Sequence, residues 1–107
     1  MNQAAERRAA GRLTITSMWA IVGHAGMWGR VHAHSGTVSG VYYVDAGDGG
    51  AGGEFAIHTR LGGPPHLIRP RTGQLIIFPS ALLHGVMRYD GDRPRIAVSF
   101  DMTRATD

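Results

Sequence analysis

The chain has 107 residues, 43% of them apolar and 18% charged, with a net charge of +3 and no cysteine. That length excludes anything larger than a single small domain, and that composition excludes a disordered chain. Without cysteine, disulfides and thiolate metal ligands are impossible, so any metal must be held by nitrogen or oxygen.

In chain order, residues 1–12 read as an N-terminal tail, a short helix or disordered, ahead of a domain over 13–107. The tail contains Glu6, Arg7 and Arg8 and no apolar run. It is expected to be neither a signal peptide nor a membrane span, which makes a soluble cytoplasmic protein the default. All eleven basic residues are Arg. They are scattered rather than clustered with aromatic residues, so no nucleic-acid partner is expected.

Past the tail no 3.6-residue apolar period is sustained. Short β-branched and aromatic runs recur between Gly, Pro and Asp clusters. These predict strands at Leu13–Val22, Val38–Val44, Glu54–Arg60, Gln74–Phe78, His84–Tyr89 and Pro94–Met102. Val31–His34 and His66–Arg69 could supply two more. The Gly-rich segment Asp45–Gly53 is expected to be a mobile loop, Gly62–Pro65 a turn, and Tyr89-Asp90-Gly91-Asp92 a hairpin. About eight short strands with regular turns imply an all-β sandwich, barrel or jelly roll. Exposed edge strands in so small a barrel point to a homodimer.

The chemistry concentrates on histidines. His32 and His34 flank Ala33, and on an extended strand alternate side chains face the same way, so both imidazoles project together. Gly26, six residues before His32, lets the backbone turn into the strand. About forty residues on, Gly73–His84 reads as a buried strand, a turn begun by Pro79, and a His opening the next strand. Three imidazoles from two places form a facial set that leaves metal positions open, and imidazole suits Fe, Zn, Cu and Ni alike. The plainer reading makes His84 a satisfied turn residue and the pair a surface feature. His24, His58 and His66 have no evident partner and are expected at the surface.

Beyond the His-x-His, the run Ser39-Gly40-Val41-Tyr42-Tyr43, the Phe78-Pro79-Ser80 turn, His84 and Arg95 together resemble the 2-oxoglutarate/Fe(II) oxygenases. The resemblance covers nearly the whole chain after Leu13. It implies a double-stranded β-helix holding Fe(II) on His32, His34 and His84, with 2-oxoglutarate as cosubstrate. Arg95 would hold the far carboxylate of that cosubstrate, and Tyr43 resembles the tyrosine that shares it in the prolyl hydroxylase branch. It further implies an oxidoreductase, a dioxygenase of the hydroxylase type acting on a small-molecule or peptidyl substrate. In that family the second ligand is usually an acid, where this chain has His34, and further residues usually precede the core.

Arg95 also makes sense from its chemistry, because a planar guanidinium grips a carboxylate bidentately. Arg95, Ala97 and Ser99 share one face of their strand, and small neighbours leave room for a slender diacid. Tyr43 can equally be read as a core aromatic.

Cupins share the architecture. Gly26 to His34 fits the first half of their pattern and Gly73 to His84 the second, with Ala81 in place of a Gly. The Glu a cupin adds after the His pair is missing, since Val38 and Ser39 stand there. A cupin-type metalloenzyme would use the same three His without 2-oxoglutarate. A non-catalytic jelly roll that binds a small ligand is the third reading.

Overall fold

The computed structural model describes residues 12–60 and 62–104. The expected tail lies outside the described residues except for Arg12. Eight strands form among the described residues: β1 (Leu13–Gly23), β2 (Gly29–His32), β3 (Val38–Asp45), β4 (Phe55–His58), β5 (His66–Ile68), β6 (Leu75–Pro79), β7 (Leu83–Val86) and β8 (Arg95–Arg104). They make two antiparallel four-stranded sheets, in the orders β1-β8-β3-β6 and β2-β7-β4-β5. Only β4 and β5 are neighbours both in sequence and in a sheet. The other connections carry the chain between sheets, the winding of a small all-β jelly roll, as the strand pattern predicts.

The strands follow from alternation. On β3, Ser39, Val41 and Tyr43 are buried while Tyr42 and Val44 face outward. On β6, Ile76 and Phe78 point in, and Pro79 ends the strand because it has no N–H for the ladder. Val41, Tyr43, Ile76, Phe78 and Ala97 from one sheet meet Phe55 from the other. The Phe55 and Phe78 rings lie 5.2 Å apart. Each large apolar side chain buried this way contributes about 1.5–3 kcal/mol.

β1 is different. Among the described residues it is an edge strand paired only with β8, and Leu13, Ile15, Met18, Ile21 and Val22 are all exposed along it.

Two loop expectations need correction. Tyr89–Asp92 is not a hairpin: β7 and β8 lie in different sheets, so the segment is a crossover. Nor is Asp45–Gly53 loose. Its backbone finds partners in that crossover, with Gly53 N donating to Arg88 O, Asp90 N to Ala51 O and Arg93 N to the Asp48 carboxylate. Tyr89 and Gly52 form a β-bridge, and the Tyr89 hydroxyl donates to Arg93 O. The two turn-rich segments satisfy each other's polar groups, so neither has to be a strand or a free loop.

Gly40 shows how tightly the sheet carrying β3 is filled. A Cβ at Gly40 would fall inside the Phe100 ring. Gly40→Ala must push that ring aside, and overpacking of this kind typically costs about 1–3 kcal/mol. Denaturant or thermal unfolding should register the loss, as a fall in Tm of roughly 4–8 °C per kcal/mol.

Candidate metal centre

His32 and His84 face each other across the β2–β7 pair as direct Cα partners. His32 is the last residue of β2, so His34 lies just beyond the strand rather than on it. It keeps the expected side because its backbone N–H donates to Ser80 O (2.9 Å), in the turn that follows Pro79. That turn is closed by Leu82 N donating to Pro79 O (3.0 Å) and delivers His84 as the second residue of β7. The three rings lie 4.6–5.0 Å apart, and one ligand atom from each lies within 4.8 Å of the others.

Each ring is held by its outer nitrogen. His32 Nδ1 lies 2.7 Å from Arg30 O, His84 Nδ1 2.8 Å from Leu82 O, and His34 Nδ1 3.2 Å from Asp101 Oδ2. A carbonyl or carboxylate oxygen only accepts, so each Nδ1 carries the proton and each Nε2 of a neutral ring presents a lone pair. His32 Nε2 and His34 Nε2 are nonetheless only 2.8 Å apart. Two lone pairs at that distance repel unless a proton or a metal ion lies between them. Two nitrogens bound at right angles to one ion at about 2.0–2.1 Å lie about 3 Å apart, so the spacing fits a shared metal. Burial holds the His84 imidazole below the usual histidine pKa, and the neighbouring His32 and His34 add to this, which favours its neutral, ligating form.

The three histidines line a cavity of about 340 Å³ between the sheets, which Tyr43, Arg95, Ala97 and Ser99 also line. Trp28 lines it too and is 68% exposed. Arg95 is only 8% exposed, yet no carboxylate of the described residues pairs with it. Its Nε donates to Ala46 O (2.9 Å), Nη1 to Gly53 O (2.7 Å) and Nη2 to Gly52 O (3.4 Å), and the guanidinium lies 4.2 Å from the Tyr89 ring centroid. Of the five N–H groups of a guanidinium, one on each terminal nitrogen remains. Gly53 is required here, because its φ is 76° and a Cβ would enter the guanidinium. Burial pushes the Tyr43 phenol up to about 12, with Arg95 pulling the other way, so Tyr43 stays a hydrogen-bond donor.

The structure thus brings His32, His34, His84, Arg95 and Tyr43 to one cavity. His24 and His66 are exposed and His58 half-buried, away from it. Asp101 and Ser39 were missed as part of the site. Asp101 is next on the Arg95, Ala97, Ser99 face, so extending that alternation by one step would have found it.

The family model described as "Putative 2OG-Fe(II) oxygenase" matches residues 59–101, a segment that includes His84 and Arg95 but not the His-x-His. A 2OG-Fe(II) oxygenase family oxidoreductase from Burkholderia pseudomallei superposes with a TM-score of 0.78 at 20% identity, covering 89% of this chain and 47% of its own. The chain resembles the 2OG-Fe(II) oxygenases and shares their barrel. A Pseudomonas putida prolyl-4-hydroxylase gives a TM-score of 0.68 at 23% identity, covering 83% of this chain and 51% of its own. A cupin domain from Bordetella pertussis gives 0.57 at 14% identity, covering 87% and 93%. The chain therefore spans about half the length of the two oxygenases and nearly all of the cupin. No curated protein matches it in sequence. These oxygenases are oxidoreductases, and the shared barrel is the part of the expectation that they bear out.

Two outcomes are expected of the cluster. The chain should retain one divalent ion, and His84→Ala should lose it; metal analysis that finds wild-type occupancy in the variant rejects the three-His set. Removing the ion with chelator should lower Tm, since the unfolded chain cannot present the three rings together. At free metal 100-fold above Kd, the stabilisation is about 2.7 kcal/mol, or a Tm shift on the order of 10 °C.

Proposed function

We propose that this chain is the barrel of a 2-oxoglutarate- and Fe(II)-dependent dioxygenase, with iron held by His32, His34 and His84 and the far carboxylate of 2-oxoglutarate held by Arg95 and Tyr43. The observation that carries the reading is that a single cavity contains both the converging Nε2 atoms and a buried guanidinium with no carboxylate partner. The three imidazoles suit Fe(II) but do not exclude Zn, Cu or Ni, and iron follows from the family resemblance. When bound, Fe(II) and 2-oxoglutarate supply an O2-dependent oxidation in which the cosubstrate loses CO2 to become succinate.

The roles of the protein's own groups follow from where they lie. A buried cation is costly unless an anion meets it, so Arg95 selects a carboxylate at the inner end of the cavity. The protonated Tyr43 phenol can donate to the same carboxylate. The three bonds from Arg95 to loop carbonyls fix the guanidinium plane before any ligand arrives, which reduces the ordering cost of binding. Phe55 and Phe78 close one wall with apolar surface and keep water from the rings they touch, Phe78 lying 4.5 Å and Phe55 5.7 Å from His84. The substrate is a small molecule or a peptidyl side chain entering past Trp28. A homodimer is part of the same proposal, because β1, an apolar edge strand among the described residues, offers a second copy both backbone and apolar area.

A cupin-type metalloenzyme is the second reading. It is favoured by the nearly full-length match to a cupin domain and uses the same three His without a cosubstrate. Calorimetry on protein loaded with Fe(II) in the absence of oxygen separates the two. In the dioxygenase, 2-oxoglutarate binds the wild type, and Arg95→Ala weakens it by about 30-fold or more. That is the low end of the roughly 2–5 kcal/mol typical of truncating one side of a buried charge pair. Metal occupancy should be unchanged in the variant. A wild type that holds iron but binds no 2-oxoglutarate rejects the dioxygenase in favour of the cupin reading.

A further inference from the structure

Three neutral imidazoles leave a divalent ion with its full charge uncompensated by the protein, and the nearest anion is one shell further out. Asp101, on β8, is 14% exposed in its side chain, and its Oδ2 lies 3.2 Å from His34 Nδ1. It lies on the side of the ring opposite Nε2, so it reaches the ion only through the imidazole. Its other oxygen, Oδ1, lies 2.6 Å from Ser39 Oγ, and Ser39 is its direct partner across the β3–β8 pair.

Donor accounting gives this cluster a direction. The carboxylate can only accept, so Ser39 spends its single hydroxyl proton on Asp101. Ser80 Oγ lies 2.8 Å from Ser39 Oγ and must then donate to it. Ser80 is completely buried and Ser39 nearly so. The Ser80 backbone carbonyl in turn accepts from His34 N. The ring of contacts therefore closes on itself: His34 Nδ1 to Asp101, Ser39 to Asp101, Ser80 to Ser39, and the His34 backbone to Ser80. Trp19 stacks on the His34 ring within 10° of parallel, at a centroid distance of 5.8 Å. His32 and His84 have only a carbonyl behind them, while His34 has a charge and a network.

We propose that Asp101, oriented by Ser39 and Ser80, is a positioning residue that fixes the His34 tautomer with Nε2 toward the metal and supplies from the outer shell the negative charge that the ligand set lacks. This rests on the three-His metal reading. Hydrogen-bond partners of ligating histidines orient the ring and raise its basicity, and their loss typically weakens metal binding about 10–100-fold.

Titration of metal-free protein with Co(II), followed by its visible d–d band, tests the proposal without any turnover. Asp101→Ala should bind Co(II) about 10–100-fold more weakly than wild type, with an altered band at saturation because His34 is no longer held. Asp101→Asn keeps an acceptor for His34 but removes the charge, so it should fall between the two. Ser39→Ala should weaken binding in the same direction by less. A residue that only supported the fold would lower Tm and leave both affinity and band as in wild type. Wild-type affinity and spectrum in Asp101→Ala overturn the positioning role, and wild-type affinity in Asp101→Asn overturns the charge role. Should Asp101→Ala fail to fold, the near-isosteric Asn variant and Ser39→Ala carry the test, and wild-type behaviour in both overturns the proposal. A wild type that binds no Co(II) refutes the three-His reading itself, an outcome distinct from one in which wild type and variants bind alike.

Discussion

Three imidazoles can aim their lone pairs at one point only if something grips each ring from behind. That constraint organises this barrel. For His32 and His84 the grip is the carbonyl two residues earlier in the chain, Arg30 O on β2 and Leu82 O in the turn before β7, so each ring is oriented by its own local backbone. For His34 the chain has already left the strand, and the grip comes from Asp101 on the other sheet. The site is therefore a joint between the two sheets, and its geometry is only as fixed as their packing. The Phe55 and Phe78 rings pack against each other and against His84, and so connect the apolar core to the site.

At the other end of the cavity the same principle applies to Arg95. Its orientation is set by carbonyls of the Gly-rich loop, and that loop is in turn held by the β7–β8 crossover. Two segments that look individually featureless are jointly responsible for presenting a cation to the cavity. Along β8, Ala97 and Ser99 lie between Arg95 and Asp101, and all four line the cavity, with Asp101 beside His34.

Much of this was legible in the sequence because period-two alternation is a local property. Ser39, Val41, Tyr43 and Arg95, Ala97 declare their inward face without reference to the rest of the chain, whereas only His32 of the His-x-His lies on β2 and His34 is held by Ser80 O. What was not legible depended on partners distant in sequence. The Asp-Gly at residues 90–91 carries a hairpin signal, but whether β7 turns back on itself is decided by which sheet has room for β8. Gly-rich composition says that a loop can adopt many conformations; it does not say that Asp48 and Gly53 will find Arg93 and Arg88. Asp101 is the instructive intermediate. Its inward direction could be read from Ser99 and Ala97, but its meeting with His34 depends on how the sheets face each other.

The order of strands in the two sheets bears on how the molecule comes into being. Apart from the β4–β5 hairpin, every pair joins strands that are far apart along the chain, and the longest, β1 with β8, ties Leu13 to Arg104. Such contacts cannot form until long intervening loops have closed, and chains dominated by them fold in milliseconds to seconds rather than microseconds. His32 and His84 become neighbours only when β2 meets β7, and His34 meets Asp101 only when the sheets have docked. A nascent or partly folded chain thus has no cluster to offer, so on the proposed metal reading an ion would stabilise the docked sheets and leave the early collapse unassisted.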